Sequence, residues 1–559
     1  MATISLGKIA FSWKNIYSSA TAYVINDVVN YNGTSYICIA ACTNIVPTNT
    51  SYWNVFAQGA TSIATTAGDL VYHNGSSLVR LPKGSTNQVL SIDSSGVPIW
   101  SNTGSRSNQK AIALFNNDCG YTNTYRRGGI VMEGGTLRAW GRGENYLLGS
   151  GDTSDRSYPI VVGFPAGTAS MTKFYMHHDA HSASIDSTGK LWLWGANSNG
   201  EAGTGNTTTQ QVPYCASTNS SNSIYGKTVT KYAPCGGTNE NSTSSLVLCS
   251  DGTVHSTGYN GYGQLGNNGT TNRSNFAVVS FGAGVVITDI VRGRNNATHC
   301  LALSSTGKVY AWGYNSSGQL GIGNTTQQNT PVQVSALNSV VITKIFANSE
   351  ISGAIDSNGN LYTWGLNNYG QLGWNGTTNA TSPTSVALTA VSSWTILGGA
   401  NDYACSYAIK TNGNVYATGY NGYGNLGVAA DTTNRSSFTL CKQSDGVTAL
   451  SNITKVVVGG TGSYDYVIAL DSSGVAWSCG YSGNGQLGRG TWAGNNYWFS
   501  PVYIHRRQVV DITTVGVSSE GGTLFLLDDG QVYQTGYAGE AQLPEDDNES
   551  ISIPMPVIL

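Results

Sequence analysis

Eight copies of one short glycine-rich stretch set the limits on what this chain can become. The clearest copy, Gly258-Tyr-Asn-Gly-Tyr-Gly-Gln-Leu-Gly266, returns almost letter for letter at Gly313 to Gly321, Gly365 to Gly373, Gly419 to Gly427 and Gly480 to Gly488. Weaker copies start at Gly141, Gly195 and Gly536, and the eight anchor glycines are 54, 63, 55, 52, 54, 61 and 56 residues apart. A unit of this size cannot bury an apolar face alone, so the period implies that neighbouring units pack on one another.

Each anchor is preceded, six residues earlier, by another glycine: Gly135, Gly189, Gly252, Gly307, Gly359, Gly413, Gly474 and Gly530. Pairs such as Asn358-Gly359 and Asp529-Gly530 between apolar runs predict a tight hairpin turn, because glycine accepts a positive φ. Short apolar strands flank the turn, for example Leu301-Ala-Leu303 before and Val309-Tyr-Ala-Trp312 after. Seven positions beyond each anchor stands a leucine, with Ala202 as the exception. A leucine recurring in a polar loop reads as a plug between units. Short strands at even spacing without helical periodicity predict an all-β propeller.

These residues resemble the repeat of the regulator-of-chromosome-condensation family of propellers, which Ala302 to Gly321 follow nearly throughout. The resemblance runs from about residue 108 to the end and implies a ring of blades. Eight repeats give eight blades, with seven, the usual number in that family, as the alternative. The expected organisation is a small β module over 1–59, a second β segment with its linker over 60–107, and the propeller over 108–559.

Only 10% of residues are charged and the net charge is -3, against about 25% charged in an ordinary globular domain. That balance carries no basic patch for nucleic acid and no acidic tail. No apolar run reaches the roughly 18 residues of a membrane helix, and the first residues lack a signal-peptide layout. No membrane insertion is expected. The ten cysteines are scattered without Cys-x-x-Cys spacing and read as buried free thiols.

Ahead of the repeats, alternation around Val28, Tyr31 and Tyr36 with Asn32-Gly33 between them predicts a β-hairpin. Together with Trp13, Tyr23, Pro47 and Trp53 it resembles a chitin-type carbohydrate-binding module. The tryptophan pair that grips sugar in that family is absent at Ala40-Ala-Cys42. Trp13 and Trp53 read as core of the small module, with sugar stacking as the alternative. Next come Ala67-Gly-Asp-Leu-Val-Tyr72, Leu81-Pro-Lys-Gly84, Gln88-Val-Leu-Ser91 and Gly96-Val-Pro-Ile-Trp100, which resemble a segment of bacteriophage tail fibres.

Catalytic chemistry is not expected, nor is a cofactor or a metal. His177-His178-x-x-His181 invites a metal reading, but His181 stands 14 residues before its anchor, as His299 does, which marks a position in the hairpin. Asp186, Asp356, Asp471 and Asp528 recur just ahead of the turn glycine, where aspartate caps its own turn, so they do not form the paired carboxylates of a glycosidase.

Binding is the expected activity. In a repeat protein the constant slots build the scaffold and the variable ones are free to face a partner. Four residues after the anchor the slot holds Asn145, Asn199, Tyr262, Ser317, Tyr369, Tyr423, Asn484 and Glu540. Tyr262, Tyr369 and Tyr423, with Trp374, Trp492, Tyr497 and Trp498 beyond the plugs, are the candidate binding residues. The insertion at Ser217 to Ser223 is a second candidate contact. The tail-fibre resemblance implies a receptor-binding protein that attaches to other phage tail proteins through its N-terminal region. Its target would be a host cell-surface glycan or outer-membrane protein. It would reside in the virion, assembled in the host cytoplasm and released by lysis, with a homotrimer as an option. The alternatives are a structural decoration protein of the virion and a polysaccharide-degrading tail spike.

Overall fold

The computed structural model describes residues 12–57, 70–73, 78–81, 88–92 and 97–102, and residues 110–559 apart from 118–126, 177–180, 236–242, 294–298, 398–402, 461–463, 493, 505–506, 516–520, 538–550 and 558. The chain divides into two compact units, Met1–Asn108 and Gln109–Leu559.

In the first unit, strands Ser12–Ile16, Asp27–Tyr31, Thr34–Cys38 and Trp53–Ala57 form one sheet. Asn32 and Gly33 both have positive φ, 50° and 79°, the geometry of a two-residue hairpin turn. Tyr23, Val29, Cys38, Cys42 and Trp53 make the core. Trp53 is fully buried, with its indole N–H donated to the Ile45 carbonyl at 3.0 Å, whereas Trp13 remains exposed on a strand with no buried residue. The part of 60–107 that is described consists of two separate two-stranded hairpins, Leu70–His73 with Leu78–Leu81 and Gln88–Ile92 with Pro98–Asn102.

Among the described residues the second unit contains eight sheets, one per repeat, each built on a four-stranded antiparallel meander. They are numbered here as blades 1 to 8, covering 111–161, 171–215, 229–279, 287–333, 342–385, 391–440, 453–502 and 509–556. Blade 2 gains a fifth, two-residue strand, Asn116–Asn117, parallel to its first strand. In blade 4 the strands are Ile287–Arg292, His299–Ser304, Val309–Gly313 and Gln328–Gln333. From blade 3 round to blade 1, first strands lie against first strands of the neighbouring blades and line the inside of the ring. Second strands are buried along their whole length in blades 2, 3, 4, 5 and 8, and the fourth strands are half-exposed at the outside. The all-β, eight-bladed propeller expected from the repeat is the observed fold.

The ring closes between blades 8 and 1 by packing. Ala111 N–H donates to Gly530 O at 2.9 Å and the Trp140 indole to Gln534 Oε1 at 3.3 Å. One core cluster runs across this seam, joining Ile130, Leu137 and Trp140 to Leu524, Leu526 and Val532.

The recurrent leucine is the plug it was expected to be. Leu148, Leu265, Leu320, Leu372, Leu426 and Leu487 have no exposed surface, and Ala202 has 1%. The residue before each plug turns its carbonyl to the next blade. Leu147 O accepts from Ser182 Oγ and Trp194 Nε1, both at 2.9 Å. Gln319 O accepts from Ser352 Oγ and Trp364 Nε1, both at 2.8 Å. Glu201 O, Gln264 O, Gln371 O, Asn425 O and Gln486 O do the same across their seams. The loop itself is stapled by an asparagine two residues after the anchor. Asn315 Oδ1 accepts the Leu320 N–H at 2.9 Å, while its Nδ2 donates to Asn324 O and Thr326 O at 2.9 and 3.0 Å. Asn197, Asn260, Asn367 and Asn421 repeat the arrangement. The anchor glycine has to be glycine: Gly258 has φ 103°, and a Cβ there would meet Ser244 Cα at 2.7 Å.

Cys38, Cys42, Cys215, Cys249, Cys300, Cys405, Cys441 and Cys479 are free and buried.

Candidate functional site

The connections of each blade alternate between two faces of the ring. One face carries the loops joining first to second and third to fourth strands; the other carries the tight glycine turns and the links between blades. All the aromatic candidates from the third-to-fourth connections belong to the loop side of the molecule.

There the variable slot of one blade meets the following blade. Tyr369 of blade 5 packs on Tyr420 and Tyr403 of blade 6, with ring centroids at 5.3 and 5.1 Å, and Tyr403 and Tyr420 are 4.7 Å apart. Tyr423 of blade 6 packs likewise on Tyr481 and Tyr464 of blade 7 at 5.5 and 5.8 Å, with Tyr464 and Tyr481 at 4.9 Å. Tyr262 of blade 3 packs on Tyr314 of blade 4 at 5.0 Å and on Tyr259 at 6.3 Å. Every one of these rings is half-buried.

Two features hold the rings in place. The backbone N–H at the variable slot is tied down by the side chain two residues on: Tyr262 N to Gln264 Oε1 at 2.9 Å and Tyr369 N to Gln371 Oε1 at 2.8 Å. The tyrosine directly after the anchor lies over the glycine two positions later. A Cβ on Gly261, Gly422 or Gly483 would collide with the hydroxyl of Tyr259, Tyr420 or Tyr481.

Tyr420, Tyr423 and Tyr481 are held protonated. Burial, then Tyr423 and the buried Asp465, push Tyr420 up to about 12. Tyr423 is raised by burial and then by Tyr464 and Asp465, and Tyr481 by burial and Tyr464. These three therefore present neutral rings and hydroxyls at any physiological pH.

The other candidates lie farther out. Trp374 is half-buried against the core of blades 4 to 6 and bridges to Ser437. Tyr497 packs over Gly424 and Trp498 over Gly446. Trp492 is the open one, at 49% exposure. Glu540 lies outside the described residues. The insertion at Ser217 to Ser223, expected to be an exposed contact, is open at Thr218, Ser220 and Ser221 but anchored beneath. Asn222 is buried, donates to Gly203 O and Ala216 O at 2.9 and 2.8 Å and accepts the Phe276 N–H at 2.9 Å, sealing the seam between blades 2 and 3.

Tyr403 and Tyr464 escaped the sequence reading, because they stand in a connection that shows no glycine motif. Their signal was positional: each lies 16 residues before its anchor in two successive repeats.

No group of three or more metal-ligating side chains occurs among the described residues, and His177, His178 and Asp179 lie outside them. His181 and His299 are buried hairpin residues, bonded to the hydroxyls of Tyr232 and Ser352. Asp186, Asp356 and Asp471 cap their turns. Asp186, for example, accepts from Thr188 N, Lys190 N and the Trp192 indole at 2.9, 3.0 and 3.0 Å. Asp528 does not share this role, because Leu527 occupies the slot and its carbonyl receives the Gly530 N–H. Among the described residues, no helix is long and apolar enough to cross a membrane.

Residues 242–558 match the model of the RCC1-like domain. The E3 ubiquitin-protein ligase HERC2 of Homo sapiens is 28% identical over 313 residues, 55% of this chain and 6% of that protein. The ultraviolet-B receptor UVR8 of Arabidopsis thaliana is 29% identical over 244 residues, 44% of this chain and 52% of the receptor. Protein RCC2 of Homo sapiens is 40% identical over 132 residues, 23% and 24% of the two chains. The chain thus spans about half the receptor's length and far less of the other two. The crystal structure of human WBSCR16 shares the fold, with a TM-score of 0.52 at 18% identity, covering 72% of this chain and 98% of that one.

These relatives overturn the attachment reading. They are proteins of human and plant cells, whereas the tail-fibre resemblance implied a virion protein released by lysis, bound to other phage tail proteins and to a host glycan or outer-membrane protein. The decoration-protein and tail-spike alternatives fall with it. The physical reason lies in residues 60–107. Strand, turn and strand with glycine and proline at the bends is the generic chemistry of a hairpin, and separate hairpins are what the described part of that segment forms.

Proposed function

The chain belongs to the RCC1-like domain family, and from that premise we propose that it is a non-catalytic binding protein whose propeller docks a polypeptide partner on its loop face. The observation that carries this reading is the set of tyrosine clusters at the seams of blades 3–4, 5–6 and 6–7. Half-buried tyrosines held by packing offer rigid contact area at little entropic cost, and their hydroxyls supply hydrogen bonds. Tyr262, Tyr369 and Tyr423 are the contact residues of this reading, with Trp492 as an outlying one. Trp374, Tyr497 and Trp498 support the loops from behind. The ligase and photoreceptor activities in the relatives' names belong to proteins of which the chain spans 6% and 52%, and neither is part of the proposal.

The test is selection of binders to the full chain from a displayed library of random peptides, followed by hydrogen-exchange mapping. Protection at the loops around 369, 420, 423 and 481 is expected, with affinity lowered about tenfold or more by Tyr369→Ala or Tyr423→Ala, the loss typical of an interface anchor. Binders that footprint elsewhere and ignore both substitutions would sink the reading.

A further inference from the structure

On the opposite face, the first strand of all eight blades carries a β-bulge at the same place, between its first and third described positions. In six blades the bulged residue is threonine or serine, and its hydroxyl donates back to the second strand. The bonds run from Thr172 to Ile185 O at 3.0 Å, Thr230 to Leu248 O at 3.1 Å, Thr288 to Leu303 O at 3.2 Å and Thr343 to Ile355 O at 3.2 Å. Ser392 and Thr454 do the same. A bulge re-aims the side chain that follows it. The residues that follow are Ala113, Lys173, Lys231, Asp289, Lys344, Ser393, Lys455 and Asp511, one per blade around the mouth of the inner ring.

Charged side chains make up a tenth of the whole sequence and six of these eight positions, so the mouth is far richer in charge than the chain as a whole. Four lysines stand against two aspartates. Lys231 pairs with Asp289 and Lys455 with Asp511, each at 2.6 Å. Lys173 and Lys344 have no carboxylate; they rest on the carbonyls of Thr230, at 2.5 Å, and Ser392. Burial first, and then the neighbouring Lys231, lower the Lys173 pKa. Low-dielectric walls around such a mouth focus the field onto whatever enters.

We propose that this mouth binds an acidic polypeptide segment, which lays separate carboxylates against Lys173 and Lys344. The two unmatched ammonium groups are three blades apart, which suits an extended ligand rather than a single small anion. Asp289 and Asp511, paired with Lys231 and Lys455, stand in the same circle and repel any polyanion, which favours carboxylates on flexible side chains that can be placed past them over the fixed charge spacing of a phosphate backbone. This site is independent of the tyrosine face and does not rest on the partner proposed there.

The experiment is fluorescence anisotropy of a labelled oligoglutamate peptide with the full chain, alongside oligolysine and an oligothymidylate of equal charge. Salt-sensitive binding of oligoglutamate alone is expected. Lys173→Ala/Lys344→Ala should weaken it roughly fivefold, the scale of two partly exposed ion pairs. Asp289→Asn/Asp511→Asn should strengthen it by a similar factor, because it releases Lys231 and Lys455. The second variant decides the matter if the first fails to fold, since both lysines lost there also latch adjacent blades. The proposal is overturned by an absence of oligoglutamate binding, by preference for the oligothymidylate, or by an affinity that the aspartate substitutions leave unmoved.

Discussion

His299 is fully buried, its Nε2 2.7 Å from the Ser352 hydroxyl, with the cation of Arg292 nearby. Burial first and Arg292 second hold its pKa down at about 3, and the same two causes hold His181 at about 3. His255 is depressed to about 4, by burial and then by Lys227. In the unfolded chain each imidazole titrates near 6.5. Below that pH the unfolded state takes up protons that the folded state refuses, so stability is complete above about 6.5 and falls as the solution is acidified. The slope is up to about 1.4 kcal/mol per pH unit for each histidine until its folded pKa is reached. Asp186, Asp356 and Asp471, lowered by hydrogen bonds that outweigh their burial, lose their contribution only in more acid solution, which leaves the window between pH 5 and 6.5 to the histidines. Urea midpoints at pH 7.5, 6 and 5 should therefore decline in order, and His299→Gln should make the decline shallower; midpoints flat across this range would contradict the assignment.

The plug loop is the element on which the ring depends, and its asparagine is its weakest substitution. Asn315→Ala strips a partner from the buried Leu320 N–H and from the carbonyls of Asn324 and Thr326 in the exposed arm of the same loop. A loss of about 1–3 kcal/mol is expected, the range for leaving buried polar groups unmet. Asn315→Asp should do no better at neutral pH, because its second oxygen would face two carbonyls. Thermal or urea unfolding of the two variants reads this directly. The element also shows how far the sequence carried. The glycine turns, the leucine plugs and the count of blades were legible because each recurs at a fixed slot, and only backbone geometry or packing enforces such recurrence. Tyr369 and Tyr423 were legible as candidates by the opposite sign, variation within a constant frame. Their partners Tyr403 and Tyr464 were not, since a contact between successive blades joins positions from different repeats. The burial of Asn222 was equally hidden: a run of serine and asparagine looks solvated until a neighbouring strand is placed against it. The hairpins of residues 60–107 misled for a related reason, because a turn motif records local backbone chemistry and carries no information about the particle or cell it serves.

At the scale of the molecule, each sheet takes its four main strands from its own repeat, blade 2 alone borrowing the short strand Asn116–Asn117 from the repeat before it, and the last blade meets the first through Ala111, Trp140 and Gln534 without sharing a strand. Every seam from blade 1 to blade 8 uses the same polarity, with a plug carbonyl offered by one blade and a hydroxyl, thiol or indole donor by the next. Such a contact is heterologous: the two surfaces differ, and rotation about the axis is what closes them. A run of blades cut from the ring therefore ends in two unlike faces that complement each other. The fragment 335–559, which holds blades 5 to 8, should pair head to tail with a second copy of itself and restore an eight-bladed circle with twofold symmetry. Light scattering would report a dimer at twice the fragment mass, where a monomer or an open-ended polymer would show that the curvature is not built into each seam. A protein joined in this way is a closed polymer of its own repeats, and its blade number is set by the angle at one joint, counted out until the two ends meet.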